Sequence, residues 1–157
     1  MKIVFAALAI AGAVFFLACF NTEKGKNLEV SDAVSGRVYG RWPLAENGEF
    51  PDEFSIEFVH SVNQSPVRET FGVEGGRIRP LAVRFFSFGA GMRSDLEEGQ
   101  VLSRDGDAMV ITGFKTSYAE LNYIVGTVSD HLLIIDDKTI SLRELCGRNA
   151  QITIRVK

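Results

Sequence analysis

The sequence has few of the residues that build catalytic and metal sites. Two histidines and two cysteines occur among its 157 residues. Because structural metal sites need about four ligands at short spacings, and no such set occurs, we predict neither a metal nor a cofactor. Ser61 follows His60 directly, so on a strand the two would face opposite ways, and no nucleophile-elbow pattern surrounds them. We therefore expect a protein that is not an enzyme.

The sequence also lacks blocks of like charge. Its net charge is −3, and acidic and basic residues are interspersed. A chain of this kind does not build the positive field that collects nucleic acid, so no nucleic acid partner is expected. The length allows one domain with a proper core and is too short for two once the N-terminal segment is set aside.

One long apolar run does occur, at the N-terminus. Residues 3–20 carry no charge. As a helix the run would extend about 27 Å, close to the thickness of a hydrocarbon core. It predicts a signal peptide or a membrane anchor over residues 1–20. Phe16-Leu17-Ala18-Cys19 resembles a bacterial lipobox, in which Cys19 would carry lipid; in an uncleaved anchor, Cys19 would be one more apolar residue.

Either form of the N-terminal segment places the rest of the chain outside the cytoplasm. We expect an exported protein of the cell envelope, tethered to the membrane through its N-terminus, with the domain in the periplasm or outside the cell. Residues 21–36 are polar and small, and they predict a linker between membrane and domain.

Helical periodicity is missing from residues 37–157, where period-two alternation predicts many short strands. The fold class expected is all-β, a single antiparallel β-sandwich or a partly open barrel. Helical alternatives are a single turn at Ser141–Cys146 and a short one at 93–100. The predicted strands are Arg37–Trp42, Phe54–His60, Val67–Glu74, Arg77–Phe88, Ala108–Phe114, Leu121–Val128, His131–Asp136, Thr139–Leu145 and Gln151–Val156.

The first hairpin places ionisable residues on an apolar face. Alternation sets His60 at the end of the apolar side of one strand and Glu69 within the apolar side of the next. A register that pairs His60 with Val67 keeps both apolar sets on one face. It also sets Phe58 opposite Glu69, with His60 as the diagonal neighbour of Glu69. A shift by two residues would keep the faces and change the distance between the ionisable groups.

The second hairpin would add a cation. A two-residue turn at Gly75–Gly76 places Arg84 on the same inner face if the register continues unbroken. Pro80 cannot donate to the ladder and could mark a bulge that reverses every residue after it. Without a bulge, His60, Glu69 and Arg84 converge at one end of the sheet.

Two interpretations of this cluster stay open. A carboxylate on an apolar face is costly without a partner, so the cluster could be a structural knot that fixes the register. Alternatively it could line a ligand pocket, in which Arg84 binds a carboxylate through two hydrogen bonds and His60 donates a third. Gly89 and Gly91 could form an anion-binding nest beside it or a tight corner. The candidate residues are His60, Ser61, Glu69, Arg84, Gly89 and Gly91.

Three further residues are predicted to be structural. Cys146 has no histidine near it in sequence and is expected to be a small core residue. His131 is expected at a turn or at the start of a strand. Trp42 is expected to fill the core.

Motifs in and after the first hairpin carry a likeness to a known family. They are His60-Ser61-Val62, Pro66-Val67, Glu69 and the segment from Phe85 to Met92, followed by His131-Leu132 and Gln151–Ile154. Over about residues 37–157 the chain resembles bacterial domain-of-unknown-function family 1850. The resemblance implies no catalytic residues. It implies an association with the membrane subunit of TAXI-type tripartite periplasmic (TRAP) transporters, which import organic acids with an ion gradient.

The functional expectation follows from that resemblance and from the tether. We expect an accessory or binding module of a TAXI-type TRAP solute uptake system, with the transporter's membrane subunit as its partner. The alternative is a free-standing lipoprotein that binds a small anion or a protein partner.

Overall fold

The protein is a sandwich of two antiparallel sheets, as seen in a computed structural model that describes residues 26–44, 53–62, 64–86 and 95–157. The sandwich confirms the predicted all-β class. The elements in chain order are β1 (Asn27–Asp32), β2 (Val38–Pro43), β3 (Glu53–Val59), β4 (Pro66–Glu74), β5 (Arg77–Phe85), β6 (Val101–Asp105), β7 (Ala108–Thr112), β8 (Glu120–Ile124), β9 (His131–Ile135), β10 (Lys138–Ser141), α1 (Leu142–Cys146) and β11 (Gln151–Val156).

Alternating apolar residues of both sheets form the core between them. The smaller sheet has the order β2-β1-β11-β8, and the larger has β10-β9-β3-β4-β5-β7-β6. Leu28 and Val30 of β1 are fully buried and face the large sheet, as are Ile152 and Ile154 of β11. Since alternate strand residues point to opposite faces, the pattern of the sequence places these residues together.

Strand β1 lies in the segment that the sequence predicted as a linker. It pairs with β11 along one side and with β2 along the other. The linker prediction for residues 21–36 is therefore wrong over Asn27–Asp32. The strand was missed because its polar residues are typical of a linker. Glu29 is nevertheless only 5% exposed, and Arg41 of β2 compensates its charge through an ion pair of 2.6 Å.

The edge strand β6 was also missed, for the opposite reason. Each of its five residues is exposed, so its sequence carries no alternation between buried and exposed positions. The other strands were predicted with differences in their ends, except that residues 142–145 of the predicted strand Thr139–Leu145 belong to α1. The helical turn expected at Ser141–Cys146 is confirmed as α1, where Ser141 accepts a hydrogen bond from the Glu144 N–H. Residues 95–100 form bends and turns without a helix.

Three residues predicted to be structural are confirmed in that role. Trp42 packs against the core, and His131 begins β9. Cys146 is half-buried against the core. Burial, with a smaller contribution from Asp32, raises the pKa of the Cys146 thiol to about 11, so the thiol stays protonated at neutral pH.

The predicted signal or anchor and Cys19 lie outside the described residues. Within the described part of the chain, none of the helices has the length and apolar character needed to cross a membrane.

We expect a chain that begins at residue 37 to lose cooperative folding, whereas one that begins at residue 26 keeps it. The shorter chain lacks β1, so β2 loses its strand partner, β11 becomes an edge, and Leu28 and Val30 leave the core. Burying each of these side chains contributes about 1.5–3 kcal/mol, against a total stability of about 5–15 kcal/mol. Thermal unfolding followed by circular dichroism compares the two chains; equal transitions would contradict the central place of β1.

Candidate functional site

The face predicted for the first hairpin is confirmed, but its register is not. Phe58 pairs with Val67 and Ile56 pairs with Glu69, which is a shift of two residues from the predicted pairing of His60 with Val67. His60 lies beyond the end of β3, and its N–H donates to the Ser65 carbonyl at 2.9 Å. Since Glu69 is opposite Ile56, four residues before His60, the two ionisable groups are separated by about 13 Å along the strand.

A bulge in β5 decides where Arg84 points. The second hairpin pairs Glu74 with Arg77 as the Gly75–Gly76 turn predicts, but the register then shifts between Thr70 and Phe71. Leu81 is the extra residue of the bulge and follows Pro80, which has no N–H for the ladder. The Leu81 side chain packs over Gly72, where a Cβ would lie 3.2 Å from Leu81 Cδ1.

The bulge reverses the faces of every β5 residue after Leu81. Arg84 pairs with Arg68, so both point away from the core, while Glu69 points toward it. The predicted convergence of His60, Glu69 and Arg84 is therefore wrong. The bulge that the sequence named as an alternative at Pro80 is what the structure contains.

Of the other predicted site residues, Ser61 lies in the part of the chain that the structure describes. Ser61 is exposed in the loop after β3, where its carbonyl accepts from the Gln64 side chain. Gly89 and Gly91 lie outside the described residues.

Glu69 instead meets a residue of the opposite sheet. Tyr123 of β8 donates its hydroxyl hydrogen to Glu69 Oε2 at 2.6 Å, so this hydrogen bond joins the two sheets. Within the described ranges no lysine, arginine or histidine forms an ion pair with Glu69. Burial raises the pKa of the Glu69 carboxyl, and the bond from Tyr123 offsets this only in part.

Sequence reasoning missed Tyr123 because no local pattern connects it to Glu69. The two residues are 54 positions apart and belong to different sheets. The signal that was available is the alternation of β8, in which Leu121 and Tyr123 pair with Ile154 and Ile152 and so share the inner face of the small sheet. Which inner residue of the other sheet each would meet depends on how the sheets are stacked.

Tyr123 and His131 lie next to each other, and burial favours the uncharged form of both side chains. Burial and the nearby Glu69 carboxylate raise the pKa of the Tyr123 hydroxyl, so it remains a donor. The His131 ring lies edge-on to Tyr123, with centroids 6.1 Å apart, and stacks on Phe58 at 5.0 Å. Burial lowers the pKa of His131, and its Nδ1 accepts from the Gly126 N–H at 3.1 Å. His131, which the Gly126 N–H holds in position, packs against the Tyr123 ring and restricts its movement.

A cavity of about 350 Å³ opens beside the Glu69–Tyr123 hydrogen bond. It lies where β8 of the small sheet passes over the bulged part of β5, and the chain segment after β7 closes one side. That segment is held because Ile78 and Tyr118 exchange two backbone hydrogen bonds of 2.8 and 2.9 Å. The lining residues that matter here are Glu69, Phe71, Phe114, Tyr118, Leu121 and Tyr123. The volume falls within the range of small-molecule pockets.

A different cleft, of about 330 Å³, lies on the outer face of the large sheet. Arg68 and Arg84 stand directly opposite each other there, an arrangement that like charges make unfavourable. Glu57 binds Arg68 at 2.7 Å, and Asp105 forms an ion pair with Arg84. Phe86, whose ring lies 5.8 Å from the Arg84 guanidinium, completes the cleft. Arg84 thus lies on the outer face of the large sheet, away from Glu69.

Comparison with known proteins places the hairpin and the cavity in a described family. The family model of a domain of unknown function, DUF1850, matches residues 54–142. The matched part begins in β3 and ends at the start of α1, so it contains Glu69, the bulge and Tyr123. Searches of the curated proteins and of the solved structures found no match.

We expect Glu69→Gln to be at least as stable as the wild type near pH 7, with a weaker dependence of stability on pH. Because folding raises the carboxyl pKa, the native state keeps its proton where the unfolded chain loses it. Stability therefore falls as pH rises above the ordinary glutamate pKa of about 4.3 and through the raised native value. The glutamine is neutral, and its amide oxygen still accepts from Tyr123.

Urea unfolding between about pH 4 and pH 8 measures this effect. Glu57→Gln is the matched control, since it removes a carboxylate from the outer face of the same hairpin. A loss of stability in Glu69→Gln at every pH would contradict the absence of a stabilising cation.

We expect Tyr123→Phe to lower the free energy of unfolding by about 1–3 kcal/mol near neutral pH. The change removes the hydroxyl that donates to Glu69 and leaves a partly buried carboxylate without that donor. The loss should be smaller at low pH, where the carboxyl is protonated. Tyr118→Phe is the control, because Tyr118 is 42% exposed and its hydroxyl accepts a long hydrogen bond, of 3.5 Å, from Thr116. Equal losses in the two variants would contradict a special role for the bond between the sheets.

Proposed function

Because the chain belongs to the DUF1850 family, a family defined by a domain of unknown function, we propose its function from its geometry: an exported binding module, not an enzyme, that holds a small molecule between its sheets. The observation that carries this proposal is the cavity beside Glu69. It contains a carboxylate that burial makes costly and that no cation of the described residues neutralises. A ligand that contacts Glu69 could supply the interaction partner that this carboxylate lacks among the cations of the described residues.

The chemistry of the cavity favours binding over catalysis. A general base must be able to take up and release a proton close to a reacting group. Here Tyr123 stays protonated and engages Glu69, and His131 uses Nδ1 to accept from the backbone. Tyr123 therefore orients Glu69, which keeps acceptor positions for a ligand, and this suits a pre-formed ligand site.

The position of β1 supports a module held close to the membrane. The first strand begins at Asn27, so only residues 20–26 separate it from Cys19. A chain of that length reaches at most about 25 Å when fully extended. If Cys19 carries lipid, or if residues 1–20 remain as an anchor, the domain lies against the outer face of the membrane.

As the partner of the module we propose the membrane subunit of a TAXI-type TRAP transporter. The support is the resemblance that His60-Ser61-Val62, Pro66-Val67 and Glu69 carry, together with the short tether. A module held within about 25 Å of the bilayer is placed to contact the permease directly.

The alternative is a free-standing lipoprotein that binds a small anion. The observation that favours it is the outer cleft, where Arg68 and Arg84 face each other beside Phe86. Arginine binds carboxylates and phosphates through paired hydrogen bonds. The exposed Asp105 could exchange for such an anion at low cost, because exposed ion pairs contribute little.

Affinity capture tests the partner. The full chain, tagged after Lys157, would be purified from detergent-solubilised membranes of its own host, and the co-purifying proteins identified by mass spectrometry. We expect a TRAP membrane subunit in near-equal amount. A Cys19→Ala chain shows whether lipidation is needed. Recovery of the tagged chain without any permease would contradict the transporter role and favour the lipoprotein.

The anion alternative predicts a different result at the outer cleft. Arg84→Gln should weaken binding of a small carboxylate such as benzoate by about tenfold, since one charge-assisted contact is lost. Arg79→Gln is the matched control, because Arg79 is an exposed arginine of the same strand whose partner is Glu74. Calorimetric titration of both variants measures the difference, and equal affinities would remove the outer cleft from consideration.

A further inference from the structure

We infer that the ligand of the inner cavity is a protonated organic amine with an apolar body, held between the Glu69 carboxylate and a set of aromatic rings. This inference rests on the proposed function, because it assigns a ligand class to the cavity on which that proposal depends.

The charge of the cavity lining favours a cationic ligand. Glu69 is the ionisable acid of the lining, and the lining contains no lysine, arginine or histidine among the described residues. Glu69 is partly buried, and a carboxylate removed from water without a counter-ion is unfavourable. An ammonium group placed beside Glu69 would neutralise it, whereas an anion would add a second negative charge to the same cavity.

The Glu69 carboxylate can accept further hydrogen bonds from a ligand. Tyr123 donates to Glu69 Oε2, and a carboxylate has about four acceptor positions on its two oxygens. The bond from Tyr123 therefore orients the group without exhausting it. Tyr123 cannot rotate freely, because it belongs to β8, which pairs with β11, and because the His131 ring lies against it. The acceptor is thus pre-organised for a donor that comes from the cavity.

Aromatic residues of the lining also favour a cation. Phe71, Phe114, Tyr118 and Tyr123 all contribute to the cavity. Aromatic rings attract cations through the negative potential of their faces, and such rings around a carboxylate form a recurrent means of recognising amines and quaternary ammonium groups. Phe71 is held in position by stacking on Phe54, at 5.2 Å between centroids. Tyr118, which is 42% exposed, lies at the entrance.

The apolar part of the cavity wall favours a ligand with an apolar body. The remaining wall consists of Asn122, whose side-chain oxygen already accepts from Thr153, and of apolar residues. The apolar residues are Pro80, Ala82, Val83 and Leu121, and their side chains offer no hydrogen bond. A bare metal ion or ammonium ion would leave this wall unused. An amine with an attached aromatic or branched aliphatic group would cover it and gain from burial of apolar surface.

The test compares three probes of nearly one shape on the full chain in non-ionic detergent. They are phenethylammonium, the neutral 2-phenylethanol and the anionic phenylacetate, each titrated by calorimetry near pH 7. We expect phenethylammonium to bind at least about tenfold more tightly than 2-phenylethanol, because its contact with Glu69 is charge-assisted. Phenylacetate should bind most weakly at this cavity.

Two variants and a control assign the binding to the cavity. Glu69→Gln should lose about tenfold in affinity for the amine and keep its affinity for the alcohol, since shape is retained and charge is removed. Tyr118→Ala should weaken amine binding several-fold through loss of a ring at the entrance. Glu57→Gln, which alters the outer face of the same hairpin, should bind the amine as the wild type does. Circular dichroism melting of each variant confirms that it is folded.

The outcomes separate this inference from the proposal beneath it. Equal binding of amine and alcohol, tighter binding of phenylacetate at the cavity, or an unchanged affinity in Glu69→Gln would overturn the ammonium assignment and leave a small-molecule module intact. Failure of all three probes to bind a folded wild-type chain would overturn the assignment and also remove the cavity as the basis of the proposed function.

Discussion

The bulge at Leu81 is the constraint on which the distribution of charge in this sandwich depends. Strand residues alternate between two faces, so one extra residue exchanges the faces of all residues that follow. Leu81 can occupy the bulge because Pro80 makes no ladder hydrogen bond at that point and because Gly72 leaves room for its side chain. With the bulge, Val83 faces Glu69 and Arg84 faces outward.

Separation of acid from base is the main consequence. The inner face has a carboxylate whose neighbour is the neutral Tyr123, and the outer face has two opposed arginines that pair with surface acids. Had Arg84 pointed inward, it could have formed an ion pair with Glu69, and the cavity would not need a cation from a ligand. The fold instead presents two clefts of opposite character on the two faces of one hairpin.

The two sheets hold the inner cavity through different means on its different sides. The bond from Tyr123 to Glu69 joins the sheets at one wall. The backbone pairing of Ile78 with Tyr118 secures the segment that forms another. Glu69, Tyr123 and Ile78 belong to strands, and Tyr118 lies in the segment between β7 and β8 that its pairing with Ile78 attaches to β5. A pre-formed cavity of this kind costs little to organise when a ligand binds.

Local pattern was sufficient for much of this protein. Period-two alternation determined the all-β class, most strands, the inner orientation of Glu69 and the turn at Gly75–Gly76, since each depends on residues within one strand or one hairpin. Stacking of the sheets and strand register decided the rest. They buried polar β1, shifted the first hairpin by two residues, selected the bulge over the unbroken ladder, and brought Tyr123 to Glu69 across 54 positions of chain. The physical reason is that alternation specifies which face a side chain takes, whereas the neighbour it meets there depends on long-range packing between sheets.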